Sequence, residues 1–374
     1  MRTAPMFTLL SLAQITLLVA CGTEPAQRVL APSADVAARS QHGDDGDGQD
    51  DERPRFGDWS APVNLGPPIN TPVADGNPVL APDGLSLYYD SDRTDLPGAL
   101  GARDIWVARR ACTDHLDPQC AWQTPVNLGP RINTPYVDGS PEISDDGHLL
   151  FFLSHTTRED CPLDPVEPDP TRPCDEDIYV SWRSDPTDDL AWSEPVRLGP
   201  EVNTAVGEGE PDYLRNAEPG RGNLYFSRAV GGTARGFDIY YARLRITRRG
   251  HPSGVVVEVL DPAVPVGALN VPDALDGGVT IRADGRELFF QSGAQRPQQG
   301  RVGGLDMWTS TRRNPHDPWS EPVNLGAPLN SPRADLAPSL SHDGRTLVFT
   351  SNRQGPTTSV GWDIYMSTRT PSGR

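Results

Sequence analysis

The chain has 374 residues, a formal charge of −18, 39 Pro and 36 Gly. It contains no lysine, which excludes a Schiff-base lysine and a phosphate-loop lysine outright. The acidic balance removes the basic footprint that nucleic-acid binding depends on, and the Pro and Gly usage suits short strands and turns more than helices.

Residues 1–21 read as an export signal. Arg2 gives a positive start, and Met6 to Ala20 is an apolar run too short to span a bilayer comfortably. It ends Leu18-Val19-Ala20-Cys21, which resembles the bacterial lipobox. That resemblance implies acylation of Cys21 and stable attachment through several acyl chains; an ordinary secretory signal with an incidental cysteine is the alternative. Gly22 after the cysteine resembles sorting to the outer membrane. The expected location is therefore the cell envelope, lipid-anchored, facing the periplasm or the cell surface. Residues 22–56 read as a disordered acidic linker, low in hydrophobicity and ending in a run of Asp, Gly and Glu. Calcium-loop spacing is absent from that run.

From residue 57 to 374 one pattern recurs five times. Its best copy runs from Trp319 to Ser367: a Trp, Asn-Leu-Gly, a second Asn, an Asp-Gly pair, an apolar triplet, Ser-x-Arg, then Asp-Ile-Tyr. Trp59, Trp122 and Trp192 open earlier copies; the fourth has lost its Trp but keeps Asn270, Asp284-Gly285 and Asp306-Met307-Trp308. Asp-Gly between apolar runs predicts a hairpin, because both turn positions need positive φ. The triplets Leu87-Tyr88-Tyr89, Leu150-Phe151-Phe152, Leu288-Phe289-Phe290 and Leu347-Val348-Phe349 are apolar on both faces, so their strands are covered on both sides. Four short strands per copy, stacked radially, make a five-bladed β-propeller. The phase of the repeat predicts closure: the Trp59 segment supplies the outer strand that the last unit lacks, which removes two exposed edges. A solenoid would need capping units, and both end copies are well formed.

The run Pro338-Ser339-Leu340-Ser341-His342-Asp343-Gly344, with Ser351-Asn352-Arg353 and Gly361-Trp362-Asp363-Ile364-Tyr365, resembles the PD40, or WD40-like, repeat of TolB-type periplasmic propellers. The resemblance implies a monomeric, non-enzymatic scaffold that binds a protein or peptide of the envelope, touches the membrane only through its lipid, and needs no cofactor or metal.

Cys112 and Cys120 bracket one loop, and Cys161 and Cys174 another, so sequential disulfides are expected; spacings too wide for zinc disfavour a metal site. Asp104, Asp177, Asp238, Asp306 and Asp363 recur in every copy. A catalytic group is expected once, so these read as structural carboxylates, with Arg93 and Arg353 as candidate partners. Asp75, Asp138, Glu208 and Asp335 stand five residues after the repeated Asn, with Leu275 interrupting the series and Glu210 and Asp276 beside it. They form a candidate binding ring at one channel mouth, or else each caps its own loop. No catalytic residue is assigned, since no G-x-S-x-G, H-E-x-x-H or phosphate loop is present. The alternative is a glycan-active propeller that uses Asp75, Asp138 and Glu208 as central carboxylates.

Overall fold

The computed structural model describes residues 56–371, apart from 115–116, 156–175, 217–219, 231–235, 249–253, 294–295, 297–299 and 355–360. Cys21, the acidic linker before Phe56, Cys161 and Cys174 lie outside them. The described residues form five antiparallel sheets with almost no helix, arranged as a five-bladed propeller. Each blade begins at the axis. The innermost strands are Asp75–Leu80, Asp138–Ile143, Glu208–Arg215, Gly277–Ile281 and Asp335–Leu340. The second strands are Ser86–Ser91, Leu149–Ser154, Arg221–Val230, Glu287–Ser292 and Thr346–Ser351. The third are Asp104–Arg109, Asp177–Trp182, Gly236–Arg248, Asp306–Thr311 and Asp363–Thr368.

The ring closes as the repeat phase requires. Val63–Asn64 is the fourth strand of blade 5, with Val63 opposite Met366 and Asn64 opposite Tyr365. Outer strands elsewhere are equally short, such as Val126–Asn127 and Val323–Asn324. Brevity is one way an edge avoids pairing with another chain. Blade 3 differs. Its third strand has 13 residues, whose distal half pairs Val255–Val259 and whose inner half pairs Val264–Pro265, the segment where the next copy has lost its Trp.

Five apolar clusters fill the five gaps between blades. Between blades 1 and 2 lie Tyr88, Ile105, Leu150 and Phe152; between blades 5 and 1, Leu87, Tyr89, Val348 and Ile364. Second-strand triplets contribute to both neighbouring gaps, because successive residues point to opposite faces. That is the physical reason they are apolar throughout.

The repeated Asn is a two-bond stitch. Asn133 accepts the Ile105 N–H at 2.8 Å and donates to the Ile105 carbonyl at 2.9 Å. Asn70, Asn203, Asn270 and Asn330 do the same to Ile364, Ile178, Ile239 and Met307. Each side-chain amide continues the ladder where the outer strand has ended. The repeated Asp closes the adjoining loop: Asp104 accepts Leu100 N, Gly101 N and Asn127 Nδ2, and Asp306 accepts Val302 N, Gly303 N and Asn324 Nδ2. Cys112 and Cys120 form the expected disulfide, eight residues apart.

Candidate functional site

The candidate binding ring turns away from the channel. Asp75, Asp138, Glu208 and Asp335 are all fully buried. Asp75 accepts the Thr71 N–H and hydroxyl on one oxygen and the Ser91 hydroxyl on the other. Asp138 and Asp335 repeat this with Thr134 and Ser154, and with Ser331 and Ser351. Glu208 uses Thr204 and Arg228. Blade 4 completes the series with Asp276, bonded to Val271 N and the Ser292 hydroxyl, one residue beyond Leu275. Carboxylates with their oxygens spent on their own loops cannot steer a partner, so the loop-capping alternative holds. The Ser-x-Arg arginines do not pair the third-strand Asp: Arg353 pairs the ring acid Asp335, while Arg93 reaches Asp95 and the Tyr89 hydroxyl.

The axis itself is lined two residues further on. Every innermost strand bulges there, with positive φ at Asn77, Ser140, Glu210, Gly278 and Ala337. A bulge leaves a backbone N–H without its ladder partner, and the preceding blade supplies one. Asn77 N donates to Thr350 Oγ1, Ser140 N to Asp90 Oδ2, Gly278 N to Glu210 Oε2 and Ala337 N to Gln291 Oε1, all at 2.8–2.9 Å. Gly139 has no room for a side chain, since a Cβ would lie 2.5 Å from Asp90 Oδ2.

Below this belt the repeat diverges. The residues after the bulge are Val79, Glu142, Asp212, Thr280 and Ser339, and three positions on come Pro82, Asp145, Arg215, Ala283 and His342. Two cavities of about 40 Å³ each lie along the axis and share Val79, Glu142, Thr280 and Ser339 as walls. Blades 2 and 3 therefore make an acid wall of Glu142, Asp145, Glu210 and Asp212, facing Val79, Thr280, Ser339 and His342. Glu210 is spent, bonded to Ser227 Oγ, Gly278 N and Gln291 Nε2. Burial pushes the carboxyls of Glu142 and Asp212 well above their usual range; repulsion from Asp145 adds to both, and repulsion from Asp212 adds to Glu142. Asp145 is raised too, by burial, with the charges of His342 and Arg215 opposing. At the rim His342 Nδ1 lies 3.9 Å from Asp145 Oδ1, and Arg215 pairs Asp146 at 3.1 Å. Two adjoining carboxyls with raised proton affinity beside a third are suited to donating a proton.

Sequence reasoning passed over Glu142, Asp145 and Asp212. The signal was present as the places where the five copies disagree just after the Pro of the innermost strand. Among the described residues, the three-ligand group within 4.8 Å is Cys112, Asp117 and Cys120, whose thiols are consumed by the disulfide.

No protein-family model matches the chain, and no curated relative does. Solved structures do. One named as a glycoside hydrolase is 12% identical, with 86% of this chain and 93% of that one covered and a TM-score of 0.50. An alpha-L-arabinofuranosidase from Lactobacillus brevis is 14% identical over 81% and 92%, TM-score 0.49. A putative TolB from Agrobacterium tumefaciens is 15% identical over 79% and 77%, TM-score 0.41. Most of the similar propellers carry glycoside hydrolase names. That corrects the expectation of a non-enzymatic, TolB-like protein-binding scaffold, since the fold has glycoside hydrolase neighbours beside a TolB-like one. At such identity the likeness itself shows the fold: a five-bladed propeller with both glycoside hydrolase and TolB-like neighbours.

Proposed function

We propose that the protein is a glycan-active enzyme working at the acid end of its axial channel, with glycosidic bond hydrolysis as the reaction class. The observation that carries this is the juxtaposition of Glu142 and Asp212 on one cavity wall, where desolvation raises both carboxyls, with Asp145 on the same wall. Glycoside hydrolysis needs a carboxylic acid to protonate the leaving oxygen and a second carboxylate to act on the sugar or on water. The Glu142–Asp212 pair supplies the proton, held by the pair and not by one member; Asp145, nearer solvent, supplies the carboxylate. This replaces the set Asp75, Asp138 and Glu208. A cavity of about 40 Å³ admits a few waters but no sugar ring, so the glycan lies across the mouth with its scissile oxygen toward the pair.

The test is a panel of nitrophenyl glycosides and oligosaccharides, followed by reducing-sugar release. Glu142→Gln and Asp212→Asn, folded by circular dichroism, are each expected to lower turnover by about 10²–10⁴-fold, the usual contribution of general acid catalysis. No turnover by the unmodified protein on any glycan, or turnover untouched by both substitutions, would overturn the reading.

A further inference from the structure

The acid wall contains a buried carboxyl with one oxygen that no donor among the described residues reaches. Asp212 is 5% exposed and lines the cavity. Its one hydrogen bond comes from Ile281 N to Oδ2, at 3.2 Å. No donor among the described residues reaches Oδ1, and the residue lines the cavity. Glu142 beside it has no cationic partner among the described residues. No arginine lines this cavity, and the chain has no lysine. With no cation against them, these two carboxyls hold a proton more tightly than free ones do.

Size and charge then select the ligand. The cavity is too small for a ring but large enough for an ammonium group, which is about the size of a water molecule. The rim carries Asp145, Ser341 and His342, polar groups suited to sugar hydroxyls. We propose that the acid end of the channel binds the protonated amine of an amino sugar, inserted between Glu142 and Asp212 while the ring rests on the rim. This rests on the glycan reading and narrows its substrate class. Entry of the ammonium turns one carboxylic acid into a carboxylate, and its proton leaves to the buffer. Anionic sugars are disfavoured, because a uronate would face the three carboxyls Glu142, Asp145 and Asp212, with His342 at the rim already beside Asp145.

Titration calorimetry on the full chain, at mildly acidic pH, tests this with four probes: a glucosamine tetrasaccharide, its N-acetylated counterpart, a galacturonate tetrasaccharide and a lysine tetrapeptide. The free amine is expected to bind at least about tenfold tighter than the acetylated sugar, a difference of about 1.4 kcal/mol. The gap should narrow at high salt, the heat should vary with buffer in the sense of proton release, and Asp212→Asn should abolish the gap. Should that variant not fold, the acetylation comparison and the buffer dependence on the unmodified protein decide. Equal binding of the two amino sugars, preference for galacturonate, or a lysine peptide binding as tightly as the free amine would overturn the proposal. Amine-selective binding without hydrolysis would leave this inference standing and overturn the enzyme reading. Hydrolysis without amine preference would do the reverse.

Discussion

At the scale of single residues, an arginine that ends the third strand does work the repeat does not advertise. Arg183 is 1% exposed. Its Nε donates to the Gly147 carbonyl of the Asp-Gly turn at 2.7 Å, its Nη1 reaches Asp189 at 2.9 Å and the Tyr88 hydroxyl at 2.8 Å, and its plane lies 4.4 Å from the centre of Trp192. Arg110, Arg312 and Arg369 likewise donate Nε to Gly84, Gly285 and Gly344 while covering Trp122, Trp319 and Trp59. The Trp that opens four of the five copies is thus held by a cation, and the hairpin turn is tied to the outer strand. Arg183→Ala is expected to cost about 3 kcal/mol, the low end for breaking a buried pair, because Arg109 still reaches Asp189 at 2.9 Å. Arg183→Lys should recover little, since an ammonium cannot hold turn, carboxylate and ring together. Urea unfolding of both variants measures this; a lysine variant as stable as the parent would show that charge alone matters.

At the scale of the strand, the buried acids at the start of the innermost strands make stability depend on pH in an unusual direction. Burial raises Asp75 to about 6, and also raises Asp138, Glu208 and Asp276. The folded chain therefore holds protons that the unfolded chain gives up near pH 4. A group raised on folding contributes stability below its unfolded value and loses it as pH climbs through its folded value. For Asp75 that window is about pH 4 to 6. The melting temperature should be higher at pH 5 than at pH 7, and Asp75→Asn should narrow the difference, since its amide can still accept from Thr71. Calorimetry that finds the protein more stable at pH 7 than at pH 5 would contradict this.

The same strands explain what could be read from the sequence. Turn chemistry and two-faced apolar triplets are local, so Asp83-Gly84 or Leu150-Phe151-Phe152 declared their hairpins and their burial directly. The direction of a side chain around a bulge is not local. The positive φ at Asn77 or Ser140 re-aims the chain, so the recurrent Asp before it turns into its blade while Glu142 after it meets the axis. One extra residue between Asn270 and Asp276 likewise hid the fifth capping acid behind Leu275. Recurrence drew the eye to Asp75 and its equivalents, and recurrence in a propeller marks what every blade needs to stand.

At the scale of the whole molecule, the first strand carries the ring. Val63–Asn64 pairs with Asp363–Thr368, Ser60 N donates to the Thr368 carbonyl and Gly57 N to the Thr370 carbonyl. Trp59 packs edge-on against Phe289 at 6.0 Å and lies under Arg369 at 4.5 Å, so the segment reaches the core between blades 4 and 5. Deleting 56–65 removes that ladder, uncovers the Asp363–Thr368 edge and strips one face from the core. Because each blade is packed on both sides by its neighbours, an opened ring exposes apolar surface at one break and weakens the alignment at the others. Deletion is therefore expected to lower the melting temperature of the entire domain in one cooperative step and to promote association through the bared edge. Deleting 372–374, which leaves the Phe56–Pro371 bridge in place, should do neither. A peptide spanning 56–65, added in excess, should restore part of the lost stability in proportion to its concentration, as any ligand of the folded state does. Scanning calorimetry and light scattering on the two truncations, with and without the peptide, measure this. Equal melting for both truncations, or no response to the peptide, would mean that blade 5 stands without its outer strand and that the ring is held by the interblade cores alone.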